Sequence, residues 1–419
     1  MRRSRIKVRV GSAAAIVVTL LTAACASSAA SGSSTSAAGT SAPSAAIFGH
    51  EDPASGQPFV VGMENQVGGT TIDNIQEQEA AKAAVTYVNE YLGGIGGRPL
   101  QVDYCDGGTS ASAPVQCANT FIQAHVSAVL EGNASAAFAQ AIINAKIPYL
   151  TSSPLSTPEL TTSTNTYALS GGLPMQIVAA ARAAQQLRLK SITALVIDAP
   201  GRPAAIQAFS SAFTKVGIKY TQFVIPEGTS DMTPQISAAS GTGGFYVIGD
   251  AAFCLAALKS IQSLGSTKPV ITAPYCDDPA VAGGLQGGLN GITISGVSSN
   301  FDPSTPEAKL YLAVLAKYAP KSITPTGVAT GGYIAVVGFA RLMHGFTGPA
   351  TSAAIAQHID AAGPVPMPIA NGITFKCGKT IVPAFPAVCN FSSYYMVLDA
   401  AGNATETSVV TDPGALLAP

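Results

Sequence analysis

Apolar and polar positions along this chain recur in two rhythms, and both are clearest between residues 59 and 105. Phe59-Val60-Val61-Gly62-Met63 is a short apolar run of the kind a buried strand needs. Further on, Ala81, Ala84, Val85, Val88 and Leu92 share one helical face, with Glu79, Lys82 and Glu90 towards the other side. Gly93-Gly94-Ile95-Gly96-Gly97 cannot continue a helix cheaply, and Leu100-Gln101-Val102-Asp103-Tyr104-Cys105 then alternates with period two. The order strand, helix, strand predicts a βαβ unit with parallel strands.

The same alternation continues. A short helix is predicted over 113–124, a strand over 126–130, a helix over 136–145 and a strand over 147–151. After Gly171-Gly172 it restarts, with helices over 175–187, 204–216 and 252–264 and strands over 192–197, 220–225, 245–248, 270–272 and 291–296. Strands alternating with helices of this length define an α/β protein, and the restart implies two such units. Helices over 307–318 and 327–343 follow; Arg341 and Gly331-Gly332 leave the second short of a membrane span, so a buried core helix is expected. Segments 373–377 and 389–398 read as two strands joined by a Pro-containing loop.

Composition narrows the class. With 47% hydrophobic and only 11% charged residues, 42 Gly and 28 Pro, the chain is a compact, turn-rich globular protein, long enough at 419 residues for two cores. Five of its 22 basic residues (Arg2, Arg3, Arg5, Lys7, Arg9) fall in the first nine positions. The rest of the chain is mildly acidic, which argues against nucleic acid or anionic lipid as a partner.

Those cations followed by the apolar run 10–24 make a secretory signal peptide. The run ends at Leu21-Thr22-Ala23-Ala24-Cys25, which resembles a lipobox, although Thr22 stands where a leucine is usual; the expectation is a lipidated Cys25, the alternative plain secretion. Residues 25–57 are rich in Ser, Ala, Gly and Thr and read as a flexible tether. Without Cys25, six cysteines remain in three sequence-near pairs: Cys105 and Cys117, Cys254 and Cys276, Cys377 and Cys389. Nearest-neighbour disulfides in an oxidising exterior are expected, although six cysteines allow 15 pairings. No Cys-x-x-Cys occurs and His50, His125, His344 and His358 are scattered, so no metal is expected.

A family resemblance enters with the helix ending Tyr87-Val88-Asn89, the run Gly93-Gly94-Ile95-Gly96-Gly97-Arg98-Pro99-Leu100, and the later Ile147-Pro148-Tyr149-Leu150-Thr151-Ser152 and Pro158-Glu159-Leu160. In that order they resemble the substrate-binding lipoproteins of branched-chain amino-acid type ABC importers, over 59–398. The resemblance implies a two-lobed type I periplasmic binding protein, each lobe a mostly parallel sheet flanked by helices, with three hinge crossings near 168–172, 294–299 and 372–375. Lobe 1 would be 58–170 plus 297–372 and lobe 2 171–296 plus 373–419, behind a signal peptide over 1–24. In these proteins a bridge often stands where Cys105 and Cys117 do.

Ligands of open α/β sheets sit at the carboxyl ends of strands. Candidate contacts in the first lobe are therefore Glu64, Asn65 and Gln66 in the polar loop after the first strand, Ser135 and Ala136, and Pro154, Leu155 and Ser156. The resemblance places carboxylate-binding hydroxyls at Ser135 and Ser156; each is equally readable as a helix cap or turn residue. In the second lobe Arg202, Asp250, Asp277 and Asp278 follow strands. The resemblance implies that Asp277 or Asp278 would receive an ammonium group, while the aromatics usual for leucine-like ligands are missing at 199–202 and 250–251. Gly94-Ile95-Gly96-Gly97 follows a helix and precedes a strand, the reverse of a dinucleotide fingerprint, and neither a P-loop nor a Gly-x-Ser-x-Gly elbow occurs. No enzyme and no cofactor are expected. The expected protein is a monomeric, membrane-tethered solute-binding protein that takes an amino acid, amide or small carboxylate and delivers it to ABC permease subunits; the alternative is a sensory lipoprotein with the same fold.

Overall fold

The computed structural model describes residues 45–417 apart from 68–73, 109, 111, 200–201, 298–301, 371, 379–381 and 412–413. By their contacts residues 1–42 and 43–419 form separate units, and only the second holds described residues. The expected signal peptide, Cys25 and most of the expected tether lie outside the described residues.

Two sheets carry the fold. The first is built from β1 (Phe59–Asn65), β2 (Leu100–Asp106), β3 (Ala128–Glu131), β4 (Tyr149–Thr151) and β5 (Thr166–Ala168), in the order β2-β1-β3-β4-β5 with every pair parallel. The second contains β6 (Ser191–Asp198), β7 (Lys219–Pro226), β8 (Phe245–Ile248), β9 (Val270–Thr272) and β10 (Thr293–Val297). A small antiparallel ribbon, β11 (Val365–Pro366) with β12 (Thr374–Phe375), precedes β13 (Ser393–Leu398) and β14 (Ala404–Val410). The second sheet runs β14-β13-β10-β9-β8-β6-β7, parallel from β10 to β7, with β13 and β14 added antiparallel at one edge.

Helices α1 (Ile75–Tyr91), α2 (Ala113–Gln123), α3 (Ala136–Asn144) and α4 (Thr157–Thr161) are the crossovers of the first sheet. Helices α5 (Gly172–Gln186), α6 (Arg202–Phe209), α7 (Ser211–Lys215), α8 (Thr233–Ala238), α9 (Ala251–Ser263) and α10 (Pro279–Gly284) serve the second. Then α11 (Pro306–Tyr318), α12 (Val328–Leu342) and α13 (Ser352–Ala361) return to the first. Each sheet is covered on both faces, which is why its strands are continuously apolar: in β6, Ala194 and Val196 enter the core under α5 while Leu195 and Ile197 enter the one under α9. Helix α12 is buried nearly all round and packs along α1, as a core helix does.

Several expected boundaries shift for identifiable reasons. β1 runs through Asn65, so Glu64 and Asn65 are strand residues paired with Cys105 and Asp106 and not members of a loop. The helix expected over 204–216 breaks at Ser210, whose hydroxyl donates to the Gln207 carbonyl (2.7 Å) and competes with the helical ladder. The segments 373–377 and 389–398 meet through the Lys376 N–H, which donates to the Cys389 carbonyl (3.2 Å), while β12 pairs with β11 and β13 with β10 and β14. Beyond the expected crossing at 372–375 the chain touches both cores, Phe375, Cys377 and Cys389 packing in the first and Val382, Val388 and Phe391 in the second. The glycine-rich turn is structural: Gly96 has φ 60° and a Cβ there would stand 2.1 Å from the Phe346 carbonyl oxygen.

Among the described residues disulfides join Cys105 to Cys117, Cys254 to Cys276 and Cys377 to Cys389. No helix among them is long and apolar enough to cross a membrane. At the start of the described chain Phe48 is buried among Tyr87, Tyr91 and Tyr318, with the Lys317 ammonium over the Phe48, Tyr91 and Tyr318 rings.

Candidate functional site

The carboxyl ends of β1, β3 and β4 converge with the N-termini of α1, α3 and α4, and four carboxylates are folded into this region. Glu64, Glu77, Glu131 and Glu159 each have 0% exposure. Glu77 stands in the first turn of α1, on the face of Ala80, Ala81 and Ala84. Its Oε1 accepts from the Gly132 N–H (3.0 Å), the Asn133 N–H (3.2 Å) and Asn65 Nδ2 (3.3 Å), and its Oε2 accepts from Asn133 Nδ2 (3.1 Å). Consecutive backbone N–H groups of this kind form an anion seat. Glycines let the parts close around it. A Cβ at Gly132 would stand 2.4 Å from the Glu77 carboxyl carbon, and one at Gly332 of α12 would stand 2.2 Å from the Glu77 carbonyl oxygen.

Glu131 ends β3 and its Oε1 accepts from the Glu64 N–H (2.7 Å); Glu64 Oε2 accepts from the Ser135 N–H (3.3 Å). Glu64 Oε1, Asn65 Oδ1 and Glu131 Oε2 are buried without a hydrogen-bond partner among the described residues. Burial pushes both Glu64 and Glu77 up from 4.5 to about 7, with the Asp106 charge adding at Glu64 and the Glu64 charge at Glu77. Burial, then the Glu64 charge, holds Glu131 well above the usual carboxylate range. Glu159 organises the next loop. Its Oε1 accepts from the Tyr149 hydroxyl (2.8 Å), and its Oε2 from the Leu155 N–H (2.9 Å), the Ser156 N–H (2.7 Å) and the Ser156 hydroxyl (2.8 Å). That leaves Pro154 buried and Leu155 55% exposed.

The second sheet presents a different set. Tyr275 lies just after β9 and is 43% exposed. Its phenol is nevertheless raised, chiefly by burial; the Arg202 charge opposes this and the Glu77 charge adds to it. Tyr275 is therefore within electrostatic reach of Arg202 at the start of α6 and of Glu77 from the first sheet.

The expected site residues divide accordingly. Glu64, Asn65 and Ser135 come together around Glu77 and Glu131, and half-buried Gln66 follows them. Ser135 caps α3, accepting from the Phe138 N–H (3.2 Å), with Ala136 exposed beside it. Ser156 caps α4 and spends its hydroxyl on Glu159. Asp250 caps α9 through the Phe253 N–H (2.8 Å) and Asp278 caps α10 through the Ala280 N–H (2.7 Å). Asp277 lies apart from the first-sheet carboxylates, against Gly402, where burial and then the Asp278 charge push it up to about 6. Sequence reasoning passed over Glu77 and Tyr275, placed Asn133 in a candidate loop without a role of its own, and assigned no role to Glu131 or Glu159. Glu77 was findable, because it precedes Ala80, Ala81 and Ala84 by helical steps and so must face inward.

Among the described residues no group of three or more His, Cys, Asp or Glu is arranged to hold a metal ion. No curated protein matches the chain in sequence. An ABC transporter substrate-binding protein from Sphaerobacter thermophilus superposes with a TM-score of 0.71 at 17% identity, over 86% of this chain and 100% of that one. A branched-chain amino acid transporter substrate binding protein from Streptococcus pneumoniae, in complex with isoleucine, gives 0.66 at 16% over 85% and 100%. A solute binding protein of an ABC transporter from Rhodopseudomonas palustris, in complex with p-hydroxybenzoic acid, gives 0.68 at 16% over 85% and 98%. These likenesses establish the fold, and the family model for periplasmic binding proteins matches residues 58–388. The chain belongs to the periplasmic binding protein family, in its type I form.

Proposed function

We propose that this protein captures a small polar solute in the cleft between its two sheets and delivers it to the permease subunits of an ABC importer, held at the outer face of the membrane by a lipid on Cys25. The observation that carries the reading is the pair Leu155 and Tyr275. Among the described residues these are exposed large apolar side chains that follow strand ends of opposite sheets, whereas Val115, Leu187, Val224, Leu264 and Val409 lie on helices, helix ends or edge strands. Apolar walls with a few fixed polar groups are what a solute site requires. Closure of the lobes would bring Leu155 and Tyr275 onto the solute and exclude water. The structural neighbours are substrate-binding proteins of the same transporter class, with different solutes, which supports the role and leaves the solute to the site's own chemistry. Amino acids, amides and small carboxylates are the first classes to test. A thermal-shift screen of purified protein, with small-angle scattering on any hit, is the experiment. A hit that also contracts the molecule supports the proposal; no hit in any class, with no contraction, would refute it.

A further inference from the structure

We propose that Glu77 is a resident carboxylate that occupies the anion seat formed by Gly132 and Asn133, so that the first-sheet side of the cleft takes a solute presenting N–H donors, an amide or amine, and rejects a free carboxylate there. This rests on the solute-binding reading above and narrows it.

The seat is built and filled. Two consecutive backbone N–H groups and two side-chain amides converge on one carboxylate at 3.0 to 3.3 Å, and the residue that carries it is wholly buried. Gly331 closes the rim, since a Cβ there would lie 3.3 Å from the Gly132 Cα, 3.4 Å from Ser152 Oγ and 3.5 Å from Asn133 Nδ2. A solute carboxylate arriving at the end of β3 would therefore find its donors already satisfied. Glu64 and Glu131 lie beside Glu77, while the ion pairs among the described residues, Lys82 with Glu79, Lys317 with Glu90 and Arg341 with Glu307, all lie elsewhere. Among the described residues Glu64 Oε1, Asn65 Oδ1 and Glu131 Oε2 have no hydrogen-bond partner, each on a side chain of 0% exposure. Unpaired buried acceptors favour a partner that donates. Arg202, whose charge acts on Tyr275, stands at the start of α6 on the second sheet.

The test uses probes in pairs that differ only in this group: propionate with propionamide, benzoate with benzamide, leucine with leucinamide. Thermal shifts are read on the wild type, on Glu77→Ala and on Glu77→Gln, with acetate titrated against chloride at equal ionic strength. The expectation is that amides shift the wild type with at least tenfold higher affinity than their acids. Glu77→Ala, whose seat is emptied, gains a stabilisation that saturates with acetate, and Glu77→Gln, whose seat stays filled, gains none. If Glu77→Ala folds only during refolding in acetate and not in chloride, that supports the seat equally. Acids binding the wild type as well as their amides would overturn the proposal, and so would a Glu77→Ala protein indifferent to acetate. Acetate rescue with no solute of either kind bound would support the seat and count instead against the solute-binding reading.

Discussion

Replacing Glu64 by Gln should make the protein more stable at pH 8 and leave it nearly unchanged at pH 5. The Glu64 carboxyl is fully buried and pushed up from 4.5 to about 7, mainly because burial disfavours its charged form. Between those values the folded protein holds a proton that the unfolded chain releases, so stability falls as pH rises. Below 4.5 both states are protonated and there is no penalty; above 7 it is complete. A shift of this size corresponds to about 3 kcal/mol, lost at about 1.4 kcal/mol per pH unit within the window. At roughly 2–4 °C per kcal/mol for a domain the size of one lobe, the wild type should lose on the order of 10 °C in Tm between pH 5 and pH 8 from this group alone. Gln keeps the shape and cannot ionise, and its carboxamide oxygen can still accept from the Ser135 N–H that Glu64 holds at 3.3 Å. Thermal and urea unfolding of both proteins at half-unit pH steps, without solute, is the assay. A wild type whose stability is flat or rises from pH 5 to pH 8, or a Gln variant with an unchanged slope, would refute the reasoning.

Other perturbations read other parts of the structure. Glu159→Ala strips the carboxylate from four donors around Leu155 and Ser156, and should cost about 2–4 kcal/mol; hydrogen exchange over 153–157 should accelerate, and unchanged protection there would contradict the role. Tyr275→Ala removes an exposed ring, so Tm should hold within about 0.5 kcal/mol of unfolding free energy while affinity for any solute found falls about tenfold by calorimetry. Gly332→Ala drives a Cβ to 2.2 Å from the Glu77 carbonyl oxygen and should destabilise by about 1–3 kcal/mol, seen as a lower urea midpoint. The double replacement of Cys377 and Cys389 by Ser opens a loop with a sequence separation of 12, and about 3 kcal/mol should be lost on the chain-entropy account.

The architecture was legible because βαβ alternation forces both strand faces to be apolar and both sides to carry helices, as in β6 and α5. The edges were less legible. The strand β14, Ala404–Val410, carries mostly exposed polar positions and no periodic apolar signal, and β5 is three residues long. The ribbon pairing of β12 depends on β11, two residues long and far from any strand pattern. The site was half legible for a sharper reason. Ser135, Ser156, Asp250 and Asp278 stand after strands, where ligand contacts and helix caps use the same residue types, and local sequence cannot separate the two uses. Glu77, Glu131 and Glu159 are acidic residues that composition assigns to the surface. Only the folded arrangement shows that glycines at 132 and 332 make room for one of them.

The position of Phe48 bears on how the described chain enters the folded body. It is clamped at the C-terminal turn of α1, while Glu77 stands in the first turn of the same helix; over 17 residues the helix spans about 25 Å. The first described residues are thus anchored on the core of the first sheet, at the opposite end of α1 from the carboxylate seat.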